Sequence, residues 1–370
     1  MSKGLALRTM ARKAPNRALY LHVFRVEEGL GNALLIGLPD GDWAIVDWGT
    51  QADEPLEAAM KLATGSRVRF VAASHAHADH TLGIERLLRG LREAGIPVVR
   101  FVYPASTLHR ANAHLTKARI AARDLKIPQS SIGVHNFDDP TSPHRAPCLA
   151  VGDARDWEIR ILSPSAEAIA DEEIRSLAQE EVPGNKTSLV LLFRFAGAPD
   201  GEGLGRALLP GDATPATLRY ARDMSRGAKE LHLKHQALVV PHHGSRHNLP
   251  TWFVPYIRGV AAVSAPTDSP RHPAPRVLEQ LSTRRIPDGR GAGSKLFCTS
   301  YADCCRRKFA HRASAGEHSL VRPGRCFGNL VIELTRGQPA RVVAAQTEGE
   351  LRRRFGYCGN VTASESGQRL

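Results

Sequence analysis

The chain has 370 residues, of which 42% are hydrophobic and 24% charged, a composition typical of a globular protein with one large domain or two ordinary ones. No apolar run approaches the roughly 20 residues that a membrane-spanning helix needs, so we expect no membrane partner. Fifty Lys and Arg residues against 37 Asp and Glu give a net charge of +13. This charge favours a polyanionic partner, although an arginine-rich genome would produce the same excess.

Residues 1–17 are basic, lack acidic residues and contain no apolar core or cleavage site of a secretory signal. We interpret them as a basic tail, although an organellar transit peptide has a similar composition. The six cysteines fit neither a disulfide framework nor a zinc-ribbon spacing, which predicts unpaired thiols and a cytoplasmic protein. They are Cys148, Cys298, Cys304, Cys305, Cys326 and Cys358.

The predicted elements alternate between strands and helices along the first hundred residues. A P-D-G turn separates two apolar runs, and its glycine tolerates the positive φ that a hairpin requires. Apolar residues at helical spacing predict an amphipathic helix directly after a fully apolar strand. Strands are expected at 18–26, 33–38, 43–47, 68–74 and 98–103, and helices at 54–64 and about 81–96.

The second part of the chain adds strands between residues 158 and 334. Residues 104–155 combine a basic, helix-like stretch with a polar segment, and we interpret them as an insertion. Residues 300–326 are rich in Cys and Arg and predict a second insertion, while residues 347–370 predict a basic and polar tail. The alternation of strands and helices predicts one mixed α/β domain over 18–346.

Residues 74–80 read S-H-A-H-A-D-H and follow an apolar strand directly. His75 and His77 are two residues apart, so an extended backbone turns both imidazoles to one side, and Asp79 and His80 follow as a helix begins. Imidazole and carboxylate suit zinc, manganese or iron. Because four ligands within six residues cannot easily surround one ion, two ions sharing the cluster is the favoured interpretation; a polar surface turn is the alternative.

Distant partners for such a cluster stand at the ends of two later strands. Asp212 ends L-L-P-G-D, where its carboxylate could bridge two ions or simply cap the next helix. His242 and His243 end V-V-P-H-H-G-S before a glycine turn, a position that favours ligands over core residues.

These motifs, in this order, resemble the metallo-β-lactamase fold and, more narrowly, the hydrolase domain of the ComEC/Rec2-type DNA-uptake proteins and its stand-alone relatives. The resemblance covers about residues 18–340 and also includes L-H-V-F-R-V-E-E-G-L-G-N-A-L-L-I, N-K-T-S-L-V-L and R-H-P-A-P-R-V-L-E-Q-L. It implies a metallo-β-lactamase-like four-layer αββα sandwich carrying the two insertions.

Carried over to this chain, the resemblance implies that His75 and His77 hold one divalent ion and that Asp79 and His80 hold the other. Asp212 would bridge the two ions, and the pair His242 and His243 would complete the second site, with the choice between them open. Zinc and manganese both suit this ligand set. Asp79, Asp212 and His272 are the implied catalytic residues, orienting water or protonating the leaving oxygen.

Further positions are implied to contact substrate or to support the ligands, namely Asp47, Asn185 and Ser245. The chain departs from the family at three of its motifs. Asn185 stands where many superfamily members have another histidine ligand, Asn32 replaces an aspartate of the glycine turn, and Ala274 replaces the second histidine of H-P-H-P.

The resemblance and the charge together favour a metal-dependent phosphodiesterase acting on nucleic acid, most plainly a DNase, in a DNA-processing or defence system with a possible protein partner. Basic clusters would contact phosphates without reading sequence. The alternatives are a hydrolase of a small molecule (cyclic nucleotide, phosphocholine, ester or lactone) and a non-catalytic, metal-stabilised protein that binds a partner. The clusters are Arg110/Lys117/Arg119/Arg123, Arg306/Arg307/Lys308/Arg312 and Arg352/Arg353/Arg354.

Overall fold

The computed structural model of the chain describes residues 18–26, 29–105, 112–132, 146–164, 168–171, 184–197, 203–227, 233–265, 271–282, 296–299 and 329–345. The two predicted tails, the stretch 300–326 and the basic residues Arg110, Arg306–Arg312 and Arg352–Arg354 lie outside these residues. Among the helices of the described part, none is long and apolar enough to cross a membrane.

The first sheet has eight strands in the order β15-β14-β1-β2-β3-β4-β5-β6. Its antiparallel half runs from β15 to β3, and from β3 to β6 neighbouring strands are parallel. The strands are β1 (Ala18–Val23), β2 (Gly29–Gly37), β3 (Trp43–Thr50), β4 (Val68–Ala72), β5 (Phe101–Pro104), β6 (Gln129–Ile132), β14 (Leu330–Thr335) and β15 (Arg341–Ala345).

The second sheet has seven strands in the order β13-β12-β11-β10-β9-β8-β7 and repeats the same division. Pairs from β7 to β10 are antiparallel, and pairs from β10 to β13 are parallel. The strands are β7 (Cys148–Val151), β8 (Trp157–Ser163), β9 (Val190–Phe195), β10 (Arg206–Leu209), β11 (His235–Val239), β12 (Ile257–Val263) and β13 (Leu296–Cys298).

Successive side chains along each strand point to opposite faces of its sheet, so each sheet packs on both sides. In β2, Leu34 and Ile36 face the second sheet, whereas Ala33 and Leu35 face the helices on the outside. Helices cover both outer faces, so the predicted four-layer αββα sandwich is confirmed. The helices are α1 (Asp53–Ala63), α2 (Ala78–Thr81), α3 (Ile84–Glu93) and α4 (Ala113–Asp124) beside the first sheet, and α5 (Pro215–Gly227) and α6 (Pro275–Ser282) beside the second.

The described part of residues 104–155, the stretch that we interpret as an insertion, contributes a strand to each sheet and a helix to the outer core. β6 is hydrogen-bonded to β5 as the last strand of the first sheet, and β7 belongs to the second sheet. Helix α4 buries Leu115, Ala118 and Ala122 completely in the outer core beside α3. The basic character of α4 hid this packing, because its core contacts are made by small alanines while its long charged side chains point to water.

Both parallel halves aim the carboxyl ends of their strands at one edge of the sandwich. Loops at this edge are where α/β sheets place ligand sites, because loops at the carboxyl ends can vary without disturbing the core. β3 and β4 end there in the first sheet, and β10, β11 and β12 end there in the second.

Candidate metal centre

The predicted cluster and its distant partners meet at this edge. His75 follows β4, Asp79 and His80 lie on the short helix α2, Asp212 follows β10, and the 242–243 pair follows β11. The nitrogen and oxygen atoms form two groups, each with its members within 4.8 Å of one another: Asp79, His80, Asp212 and His243, and His75, His77 and Asp212. Asp212 belongs to both groups, which is the geometry of a bridging carboxylate.

The two oxygens of Asp212 divide between the groups. Oδ1 lies 3.0 Å from His80 Nε2, and Oδ2 lies 3.6 Å from His75 Nε2 and 3.5 Å from His242 Nε2. The side chain of Asp212 is fully buried, so its charge has no water to balance it.

The residues fit a pair of cations on the evidence of their unsatisfied buried atoms. Both carboxylate oxygens of Asp212 and the Nε2 atoms of His75 and His80 are buried and make no well-oriented hydrogen bond. Buried polar atoms that lack partners are rare in folded proteins and are costly, by about 1–3 kcal/mol each. Cations between these converging lone pairs would satisfy all of them.

Hydrogen bonds behind the cluster orient its imidazoles. His80 Nδ1–H donates to Asp47 Oδ2 at 2.7 Å, and Ser74 Oγ donates to the same oxygen at 2.8 Å. Ser74 Oγ can then accept from His75 Nδ1–H at 3.1 Å. Because a carboxylate can only accept, the protons lie on Nδ1 and both Nε2 lone pairs face the centre.

The two histidines that follow β11 of the second sheet have an unusual backbone conformation. His242 and His243 have φ of 49° and 52°, in the left-handed region that non-glycine residues rarely occupy. His243 Nδ1–H donates to the Ser264 carbonyl at 2.8 Å, and its Nε2 lies 3.3 Å from Asp79 Oδ2. Strain of this kind persists where surrounding structure imposes it and is common at functional sites.

Two glycines make room for helix α2. A Cβ on Gly31 would lie 1.4 Å from the carbonyl oxygen of Asp79, and one on Gly49 would lie 1.8 Å from it. Any side chain at either position would push the metal-facing helix outward. The glycines of the G-L-G and D-W-G stretches therefore have a packing role behind the cluster.

The electrostatics of the centre favour positive charge. Burial opposes protonation of His80, but the carboxylates of Asp212, Asp47 and Asp79 outweigh burial and raise the pKa of His80 well above its usual value. Burial also opposes ionisation of Asp212, yet the neighbouring His80 and His75 hold the pKa of Asp212 well below its usual range. Protons and cations would therefore compete for this cluster.

The remaining predicted residues lie nearby in different settings. Asn185 Nδ2 is 3.3 Å from His242 Nδ1, and the His272 ring centroid is 5.1 Å from that of His242. Burial and the neighbouring imidazoles of His242 and His243 lower the pKa of His272 to about 4. Ser245 is buried, and its backbone N–H donates to the His242 carbonyl at 2.8 Å, so it supports the turn that carries the two histidines.

Sequence reasoning missed Ser74, Gly31, Gly49 and the Ser264 carbonyl as parts of the centre. Ser74 stood in the same motif as the histidines, Gly31 stood in the quoted stretch L-H-V-F-R-V-E-E-G-L-G-N-A-L-L-I, and Gly49 stood two residues after Asp47. The Ser264 carbonyl had no signal at all, because any residue supplies a backbone acceptor.

Residues 26–141 match the family model of the metallo-β-lactamase superfamily. This match covers the amino-terminal part of the chain, which includes His75, His77, Asp79 and His80, and the same residues belong to the two groups that could hold metal ions. A search of curated proteins finds no match to the chain.

Among solved structures, the chain is similar to the metallo-β-lactamase fold protein YhfI from Bacillus subtilis, with 11% identity over 68% of this chain and 88% of the other and a TM-score of 0.39. A diphosphatase of the PhnP family has 13% identity over 78% and 96%, with a TM-score of 0.38. A long-form RNase Z from yeast has 10% identity over 69% of this chain and 42% of its own, with a TM-score of 0.34. At these identities and TM-scores, none of the three assigns a substrate.

Proposed function

We propose that the protein is a metal-dependent phosphodiesterase that hydrolyses DNA. The observation that carries this proposal is the buried carboxylate of Asp212, whose two oxygens face two separate groups of histidine and aspartate ligands. Such an arrangement suits two cations, either zinc or manganese, side by side.

His75 and His77 would hold one ion, Asp79, His80 and His243 the other, and Asp212 both. Two bound cations lower the pKa of water to near 7 and stabilise negative charge on an attacked phosphoryl group. Asp47 and the Ser264 carbonyl hold His80 and His243 with their Nε2 lone pairs towards the ions.

Asp79 and His272 are the candidates for moving or orienting protons. The Asp79 side chain is 22% exposed, whereas Asp212 is fully buried, so Asp79 lies where an incoming substrate and its water can reach it. Because its pKa is lowered to about 4, His272 is neutral at pH 7 and can donate an N–H hydrogen bond to a leaving oxygen, but it is not a ready source of a proton.

A basic surface beside the centre supports a polyanionic substrate. Helix α4 contacts both α2 and α3, and its exposed positions include Lys117 and Arg123. The Arg119 guanidinium lies 5.0 Å above the ring centre of Tyr103, which holds that charge on the same surface. Contacts to phosphates from such side chains would be independent of base sequence and sensitive to salt, consistent with the excess of 13 positive charges. We place the protein in a DNA-processing or defence system, where a protein partner would bring the DNA to this surface.

The test is cleavage of DNA by wild-type protein and by Asp79→Ala, each loaded with zinc or with manganese. We expect wild type to cleave and Asp79→Ala to lose at least about 100-fold in rate, because the variant lacks both a ligand and a proton acceptor. Equal cleavage by both proteins would identify a contaminating nuclease and overturn the proposal.

A second measurement separates DNA from a small substrate. Lys117→Gln should lower the slope of log affinity for DNA against log salt by about one phosphate contact, whereas Lys61→Gln, exposed on α1, should not. Hydrolysis of small phosphodiesters or lactones with no salt-dependent DNA binding would favour the small-molecule alternative. Bound metal with no hydrolysis of any ester would favour a binding protein.

A further inference from the structure

We propose that His242 is the ligand that completes the first ion site, and that Asn185 orients it. This inference rests on the metal centre of the proposed function, but on neither DNA nor hydrolysis. It also differs from the expectation that the 242–243 pair completes the second site, and it gives a role to Asn185, which stands where many superfamily members have another histidine ligand.

The first argument is the number of ligands. The group His75, His77 and Asp212 provides three protein ligands, while the second group, with His243, provides four. The imidazole of His242 is not among the atoms of that group that all lie within 4.8 Å of one another, but its Nε2 approaches the Asp212 carboxylate of the group. It is also the neighbour in sequence of His243, so one left-handed turn sends two adjacent side chains to the two groups.

The second argument is distance. Two ligand atoms that each lie about 2.1 Å from a tetrahedral ion are about 3.4 Å apart. His242 Nε2 lies 3.5 Å from Asp212 Oδ2, and the accepted candidate His75 Nε2 lies 3.6 Å from the same oxygen. His242 thus stands in the same relation to the bridging carboxylate as His75.

The third argument is the hydrogen bonding behind the ring. The Nδ1 atoms of His75, His80 and His243 each face an oxygen, which leaves their Nε2 lone pairs for the ions. The side chains of Asn185 and Asn248 both contact the His242 ring; Asn185 Nδ2 lies 3.3 Å from His242 Nδ1, and Asn185 Oδ1 is buried without a hydrogen bond. A 180° rotation of this amide would place Oδ1 against His242 Nδ1–H, which satisfies the buried oxygen and turns the Nε2 lone pair of His242 towards Asp212 Oδ2.

Two acceptors that face each other at 3.5 Å repel unless a cation or a proton lies between them. Without metal, His242 carries its proton on Nε2 and donates it to Asp212, and the Asn185 amide donates to His242 Nδ1. With the ion bound, His242 carries its proton on Nδ1 and donates it to Asn185 Oδ1. Asn185 is a positioning residue in this scheme, because it acts on the ion only through His242.

The experiment measures zinc or manganese content and affinity of the full chain by equilibrium dialysis and titration calorimetry. Wild type should bind two ions. His242→Ala should bind one ion at wild-type affinity and the other at least about 10-fold more weakly. His247→Ala is the matched control, since it removes an exposed imidazole five positions along the chain and should leave both ions bound. A wild type that binds only one ion, or a His242→Ala variant that keeps both at wild-type affinity, overturns the proposal.

The role of Asn185 has its own matched pair. Asn185→Asp keeps an acceptor for His242 Nδ1–H and should retain the first ion, whereas Asn185→Leu removes the acceptor and should weaken it by about 10- to 100-fold. Equal weakening by both substitutions overturns the orienting role. Circular dichroism of the metal-free variants checks folding. Because the readout is bound metal, a protein that fails to cleave DNA but shows this pattern overturns the proposed function and leaves the ligand assignment intact.

Discussion

The ligands of the first sheet and those of the second sheet meet at one centre, but their backbones have different conformations. His75, His77, Asp79 and His80 lie within six residues, in ordinary extended and helical conformations. The second sheet brings its residues from two strands, and its adjacent histidines have left-handed backbones. The ligands of the first sheet depend on what packs behind them, namely two glycines and Asp47, whereas the histidines of the second sheet depend on the conformation of their own turn.

Asp212→Asn is the change with the largest expected effect, because Asp212 belongs to both groups. The substitution keeps the shape but removes the bridging charge, so we expect both ions to be lost and hydrolysis to fall by at least about 1000-fold. Metal content and rate on the same preparation measure this. If Asp212→Asn keeps one ion at wild-type affinity, the two groups are independent sites and the comparison of the two sheets fails.

Gly49→Ala tests the packing behind helix α2, which carries the first-sheet ligands Asp79 and His80. Its Cβ would lie 1.8 Å from the Asp79 carbonyl oxygen, so α2 has to move, and we expect the free energy of unfolding to fall by about 3 kcal/mol with weaker metal binding. Denaturant unfolding measures the loss. Gly90→Ala, in the middle of helix α3, is the matched control. Its Cβ would lie 3.4 Å from Sδ of Met60 on helix α1, so the substitution should stabilise the protein by up to about 1 kcal/mol. Similar results for the two variants would contradict the glycine role.

Asp47→Asn tests the hydrogen bond behind His80 and has the smallest expected effect. An amide is a poorer acceptor for His80 Nδ1–H, so we expect affinity for the second ion to fall by about 10- to 100-fold. Asp42→Asn is a matched control at the opposite end of β3, where Asp42 accepts from Arg67 Nε at 2.8 Å. Asp42→Asn should leave metal affinity unchanged, and a comparable loss there would show that Asp47 acts through general stability.

Much of the architecture could be predicted from the sequence, because its signals are local. The P-D-G turn, the apolar strand before His75 and the stripe Ile84, Leu87, Leu88 and Leu91 appear where periodicity predicted them. The packing of residues 112–132 could not be predicted, because several of their core contacts are made by alanines that carry little hydrophobic signal. Strand β15 also lay inside the predicted domain without being recognised as a strand.

The sequence by itself determined the ligand types and the expectation that distant motifs meet, since parallel strands aim their carboxyl ends at a common edge. Only the tertiary structure decided which side of Asp212 each of His242 and His243 faces, and that Asn185 lies against His242. The reason is physical: the direction of an imidazole depends on the φ and ψ of a strained turn and on hydrogen bonds to residues such as Ser264, which no local pattern encodes.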